Sequence, residues 1–271
     1  MKNTSLISRE AGSRFAKKII PLLVLLILGV VSGMLVKKIL NKKNTPEPKP
    51  IVQNTNTATK TPVIIKPTTT PSSTKPTTVP SVLLLPVPFT SQAPTANWDE
   101  KIYAEGCEEA SALMASQYFA GNEQTNLSAD FVLSEIKKST DWEMEKFGYN
   151  LDINTAETAR LIKEFYGLNA EVISGFNEQD VKTFLAQGKL VLLPADGRKL
   201  GNPNFRAPGP PYHMLVIKGY NSQGFVTNDP GTRKGLNYPY TYETLYEANG
   251  NYDHSTESVD LSKKMLLVVW K

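Results

Sequence analysis

Between Ile19 and Val36 the chain runs for eighteen residues without a charge, IIPLLVLLILGVVSGMLV, and most of them are apolar. Lys17 and Lys18 stand before this run, and Lys37 and Lys38 after it. At about 1.5 Å rise per residue such a helix covers roughly 27 Å, close to the hydrocarbon thickness of a bilayer. The flanking lysines can snorkel outward, an arrangement a buried globular helix would rarely need. The expectation is a transmembrane signal-anchor helix over 19–36, behind a short basic tail at 1–18. A cleaved signal peptide is the rival, because Val31-Ser32-Gly33 weakly resembles a small-residue cleavage site. The late position of that site and the length of the run favour an uncleaved anchor. Both flanks are basic, so charge alone does not orient the helix. A short tail inside and a long body outside is the usual signal-anchor arrangement, which implies a single-pass protein of the cell membrane with an extracytoplasmic body.

The stretch after this run cannot fold by itself. Residues 44–80 hold 8 Pro and 11 Thr among 37 positions and no aromatic residue. Such a stretch cannot bury enough apolar surface to offset its ordering entropy, so 37–80 is expected to be an extended linker. The charge divides at the same place. Residues 1–80 carry 13 Lys/Arg against 2 Glu, net +11, and residues 81–271 carry 17 against 24 Asp/Glu, net −7. The whole-chain +4 therefore describes no real surface, and the acidic body gives no support for a nucleic-acid partner. Residues 81–271 suffice for one domain and are short for two. Cys107 is the only cysteine, so no intrachain disulfide can form and a four-cysteine metal site is excluded. With His213 and His254 as the only histidines, a zinc site would have to be completed by carboxylates. No metal or cofactor is expected.

Within the body, SVLLLPVPF (81–89) is strand-like, though cut by prolines. The run 107–120 has helical spacing and stops at Gly121. Ser128 is expected to cap a helix through Ile136, and Thr155 a second one ending at Gly167. A further helix is expected at 178–187, and a short one at 241–248. Runs at 189–195, 213–220, 224–229 and 264–270 are short, apolar or alternating, and bounded by turn residues, which predicts strands. Helices first and an antiparallel sheet afterwards make the class α+β. The stretch 196–212, DGRKLGNPNFRAPGPPY, is too irregular for an element and long enough to form a functional rim.

Cys107 follows Gly106 at the expected start of a helix, where unpaired amides and the helix dipole would lower a thiol's pKa. Glu108 and Glu109 oppose this unless they point to solvent. His213 opens an apolar strand beside the irregular loop, with Leu215 and Ile217 on the same expected face. An antiparallel partner strand ending at Asn228-Asp229 would bring one of those two side chains beside the imidazole. Together these residues fit a nucleophile, a base and an orienter. His254 reads as a solvated loop residue. Trp98, Tyr103, Phe205 and Tyr212 are candidates for the cleft walls.

VPFTSQ (87–92), GCEEASALMA (106–115), YHMLVIKGY (212–220) and VTNDPGT (226–232) resemble the glutamine, cysteine, histidine and aspartate boxes of papain-like cysteine peptidases. They are most similar to the bacteriocin-processing, double-glycine-leader peptidase family, and the resemblance spans roughly 85–271. It implies a papain-like fold, with Cys107 as nucleophile, His213 as base and then acid, Asp229 as its orienter, and Gln92 as a donor to the oxyanion. The expected activity is hydrolysis of peptide bonds in a peptide or protein substrate. Peptidoglycan stem peptides, acyl transfer, or a non-catalytic peptide-binding role on the same fold are the alternatives. The fifteen-residue gap from Gln92 to Cys107 is longer than usual for such enzymes, and Glu108-Glu109 replaces the Gly-Pro that often follows the cysteine. The chain has no Gly-x-x-x-x-Gly-Lys-Ser/Thr motif, which argues against a transporter-coupled role.

Overall fold

The computed structural model describes residues 78–271. The expected anchor at 19–36 and all but the last residues of the expected linker lie outside that range. Among the described residues no helix is long and apolar enough to cross a membrane.

Elements follow in the order β1 (Leu83–Leu84), α1 (Lys101–Ala104), α2 (Cys107–Phe119), α3 (Ala129–Phe147), α4 (Thr155–Arg160), β2 (Asn169–Ser174), α5 (Glu178–Ala186), β3 (Leu190–Ala195), α6 (Gly197–Leu200), β4 (His213–Asn221), β5 (Gly224–Asn228), β6 (Tyr238–Tyr240), α7 (Tyr242–Ala248), β7 (Asn251–Asp253), β8 (Ser258–Asp260) and β9 (Met265–Trp270). The main sheet is antiparallel in the order β2-β9-β3-β4-β5-β6, with β1 also paired to β4. The class is thus mixed helix and antiparallel sheet, as expected.

Strand alternation divides the core between the two faces. Leu190, Leu192, Met214, Val216, Leu267 and Val269 pack on one face with Ala112, Met114 and Ala115 of α2. Val191, Leu193, Leu215, Ile217, Leu266 and Val268 pack on the other, against Val181 and Leu185 of α5 and Leu245 of α7. β3 is buried along its whole length, which is why its sequence reads as a continuous apolar run. α2 is enclosed on a second side, where Ala110 and Leu113 meet Tyr103 of α1 and Val132 and Ile136 of α3. Its alanines allow these close approaches.

Several boundaries differ from expectation. The helix expected to end at Ile136 continues to Phe147 and closes on Gly148 at φ 84°. Its later inward positions are Ser139, Thr140 and Glu143, so the apolar period lapses where the helix does not. Ser128 stands at the N-cap without a capping side-chain bond. The helix expected to be capped by Thr155 is capped instead by Asn154, in a reciprocal capping box with Glu157, and ends in a π-helical turn at Leu161–Phe165. Of 81–89, only Leu83–Leu84 is strand, the prolines preventing more. β2, β6 and the β7–β8 hairpin lacked a readable pattern, being short or largely polar. The irregular 196–212 stretch holds one helical turn, α6, capped by Asp196. The body also begins slightly before residue 81: Val79 packs on the second core face, and Tyr220 donates to the Pro80 carbonyl at 3.0 Å.

Candidate active site

α2 begins at Cys107, with Gly106 as its N-cap. A side chain at Gly106 would put Cβ 2.5 Å from the Ile102 carbonyl oxygen, so only glycine lets α1 and α2 meet so closely. Two bonds from Met214 hold this end of α2 to the start of β4. The Met214 N–H donates to Cys107 Sγ at 3.2 Å, and Ser111 Oγ donates to the Met214 carbonyl at 3.2 Å. Cys107 and Ser111 are one helical turn apart on the same face, so a single backbone residue fixes the helix. The residue before Met214 is His213.

His213 and Asp229 meet through sheet register. β4 and β5 pair Val216 with Asn228. Extending that register sets Asp229 opposite Leu215 and Gly231 opposite His213, so Asp229 is the diagonal neighbour of His213 on one face. His213 Nε2 lies 2.8 Å from Asp229 Oδ1. Asn228, one residue earlier, points to the other face and donates to the carbonyls of Val87 and Pro88, both at 3.1 Å. Of the two candidate orienters, Asp229 is therefore the one beside the imidazole.

The Asp229 carboxylate is completely enclosed and fully bonded. Oδ1 also accepts from Gly231 N–H at 3.0 Å; Oδ2 accepts from Tyr240 at 2.7 Å and from Asn202 at 3.1 Å. Burial works against the charge, but His213 and these donors prevail and hold the group below the ordinary aspartate value. An ionised Asp229 can only accept, so the ring hydrogen shared between them is on Nε2. Tyr240 and Asn202 went unrecognised in the sequence, since nothing local marks a tyrosine of β6 or an asparagine of a loop as a partner of Asp229. Phe205 packs edge-on against the imidazole, ring centroids 5.2 Å apart. A Cβ at Gly231 would lie 2.8 Å from His213 Cε1. The ring is thus gripped between Phe205 and a backbone that only glycine allows.

Cys107 and His213 line the same cleft of about 930 Å³, together with Gln92, Trp98, Phe205 and Tyr212. Among the described residues no hydrogen bond joins Sγ to the imidazole; Sγ lies instead 3.0 Å from Glu108 Oε2. Glu108 and Glu109 are buried rather than turned to solvent. The expected lowering of the thiol is not found: burial pushes Cys107 well above its ordinary pKa. Gln92 is buried at the cleft; its Nε2 donates to the Ala104 carbonyl at 2.7 Å, and its Oε1 has no partner. An amide nitrogen has two hydrogens, so one N–H remains uncommitted.

Of the other candidates, Trp98 is partly exposed on the cleft wall. Tyr103 is not a wall; it packs under α2 and donates to the Leu133 carbonyl at 3.3 Å. His254, expected in solvent, is half-exposed and bonds Glu157 at 2.8 Å, tying the β7–β8 turn to the cap of α4. Among the described residues no cluster of His, Cys, Asp and Glu could hold a metal ion.

A family model, the Peptidase_C39 like family, matches residues 84–257. Among solved structures, a candidate C39-like peptidase from Bacillus anthracis is similar to this chain at 16% identity. The match covers 71% of this chain and 98% of that one, with a TM-score of 0.46. No curated protein matches the chain.

Proposed function

Because the chain belongs to the Peptidase_C39 like family, we propose that it is a papain-like cysteine peptidase using Cys107, His213, Asp229 and Gln92. The observation that carries this reading is the buried His213–Asp229 pair at 2.8 Å in the cleft that Cys107 also lines. With Nε2 held by Asp229, Nδ1 of His213 takes the thiol proton as sulfur attacks the carbonyl carbon of the scissile amide. The same proton passes to the departing amine, leaving a thioester. Water, deprotonated by His213, then hydrolyses the thioester and restores the thiol. Because burial holds the thiol well above its ordinary value, the resting site carries a neutral thiol, and general-base removal of its proton accompanies attack.

The oxyanion would be met by two donors. One is the Cys107 backbone N–H, at a helix start where no intrahelical acceptor exists; the other is the second N–H of Gln92. Removing such a donor typically costs about 10²–10³ in rate.

The cleft wall carries both signs of charge, with Arg206, Arg233 and Lys234 as well as Asp99 and Glu105, which suits a peptide of mixed charge. The run 19–36 and the Pro/Thr-rich stretch support a membrane-tethered enzyme working outside the cytoplasm, in reach of wall stem peptides or passing proteins. The decisive experiment incubates purified protein with casein, a peptide library and wall sacculi, beside Cys107→Ala. Cleavage that persists in Cys107→Ala defeats the proposal; loss of it, together with loss of labelling by a thiol-directed probe, supports it. Release of stem peptides with casein intact would assign the wall as substrate.

A further inference from the structure

Glu108 adjoins the nucleophile and has no role in the proton transfers between Cys107, His213 and the substrate. Its side chain is fully buried. Oε1 accepts from the Ile153 backbone N–H at 2.8 Å, and Oε2 faces Cys107 Sγ at 3.0 Å. It enters no ion pair among the described residues. The titratable groups around it are acidic or neutral: Glu109 on its own helix, Glu143 on α3, Asp152 on the loop before α4, Tyr212 ahead of β4 and Tyr252 on β7. A carboxylate with one backbone donor and no cation is a poor tenant of such a site; a carboxylic acid is a good one. With Oε1 accepting from Ile153 N–H, the hydroxyl of such an acid would sit on Oε2, 3.0 Å from sulfur, where either group can bridge the gap with its proton.

Resting on the peptidase reading, we propose that Glu108 is a positioning residue for the nucleophile. As a neutral acid it donates its Oε2 proton to Cys107 Sγ, leaving the thiol's own proton free for His213 and stabilising the thiolate that forms. Sulfur then accepts from two fixed donors, Met214 N–H and Glu108 O–H. If Glu108 were ionised it would accept the thiol proton instead, turning that proton away from His213 and setting a second negative charge beside the thiolate. Burial, followed by Glu109 and Asp152, does raise Glu108 well above the ordinary glutamate value. Glu108 keeps its proton through the cycle; the proton that moves is the thiol's, to His213 and on to the leaving amine.

The test measures iodoacetamide alkylation of Cys107 against pH, using full-length protein in mild detergent, for wild type, Glu108→Gln and Glu108→Ala. A hydrogen bond to a charged group implies that Glu108→Ala slows alkylation at neutral pH by about tenfold to hundredfold and raises the apparent thiol pKa. Glu108→Gln, whose amide N–H donates from the same place, should restore most of that loss. Faster alkylation in both variants would show an ionised Glu108 that suppresses the thiol, and would overturn the proposal. Equal slowing in both, or no change in either, would also overturn it, reducing Glu108 to packing. Alkylation needs no substrate. A wild type that cleaves nothing but shows the expected order would refute the peptidase reading while leaving the thiol assignment standing.

Discussion

His213 shows how much of this site rests on contacts one atom wide. Its ring has Asp229 on one nitrogen, Phe205 at its side and the Gly231 backbone close to Cε1. Gly231→Ala would put a carbon 2.8 Å from Cε1 and 2.9 Å from the Phe205 ring, so one of the rings must shift. The expected result is a fall in kcat of about 10²-fold with little change in melting temperature, since misplacement near 1 Å costs about that much. Asp229→Asn should cost more, about 10³–10⁴ in kcat, because an amide N–H facing Nε2 favours the wrong tautomer. Circular dichroism with steady-state kinetics separates these effects from unfolding. Asn228→Leu should do the opposite, sparing the imidazole and destabilising the domain through the lost bonds to Val87 and Pro88. That Cys107 and His213 belong to one cleft was readable from residue types and order, whereas Tyr240, Asn202 and Ser111 were not, because each acts through a contact distant in sequence.

At the level of elements, α2 carries an acidic load inside the core. Glu109 is buried against Glu143 of α3, and two facing carboxyls satisfy each other only when a proton lies between them. Burial raises Glu143 to about 12 and Glu109 to about 7. Asp152, also through burial, rises to about 7. An acid whose folded-state pKa lies above its unfolded value stabilises the fold most below the unfolded value, near 4 here. That contribution is lost as pH rises through the folded value. The domain's melting temperature should therefore fall between about pH 5 and pH 8, and Glu109→Gln should flatten that slope; a slope unchanged in the variant would refute the assignment. Such polar, inward-facing positions also explain why α3 was expected to end at Ile136, since periodicity records apolar burial alone. Where burial was apolar, as in β3, β4, β9 and α5, the expected elements appear within about two residues of their expected ends.

For the molecule as a whole, the beginning of the body matters. β1 pairs with β4 at Leu83 and Leu84, and Val79 and Pro80 are docked ahead of it. A fragment starting at Thr78 should fold and keep peptidase activity, while one starting at Pro86 should melt lower, by loss of those contacts. The separation of charge yields a further expectation: the full chain should sediment with membranes, and the fragment from Thr78, lacking 19–36, should remain in solution. Fractionation followed by immunoblotting decides this.

Periodicity and residue type were enough to determine the mixed α and β class, the lone cysteine, and a histidine with the Asn228-Asp229 pair near it, because each is written in local pattern or in the order of the boxes. Only the tertiary structure chose Asp229 over Asn228, since strand alternation across the β4–β5 register sends the two side chains to opposite faces. Only it enclosed Cys107 together with Glu108 and Glu109, and burial reverses the expected pull on the thiol. The reason is physical: a helix dipole follows from sequence position, but desolvation depends on what the rest of the chain lays over a charge.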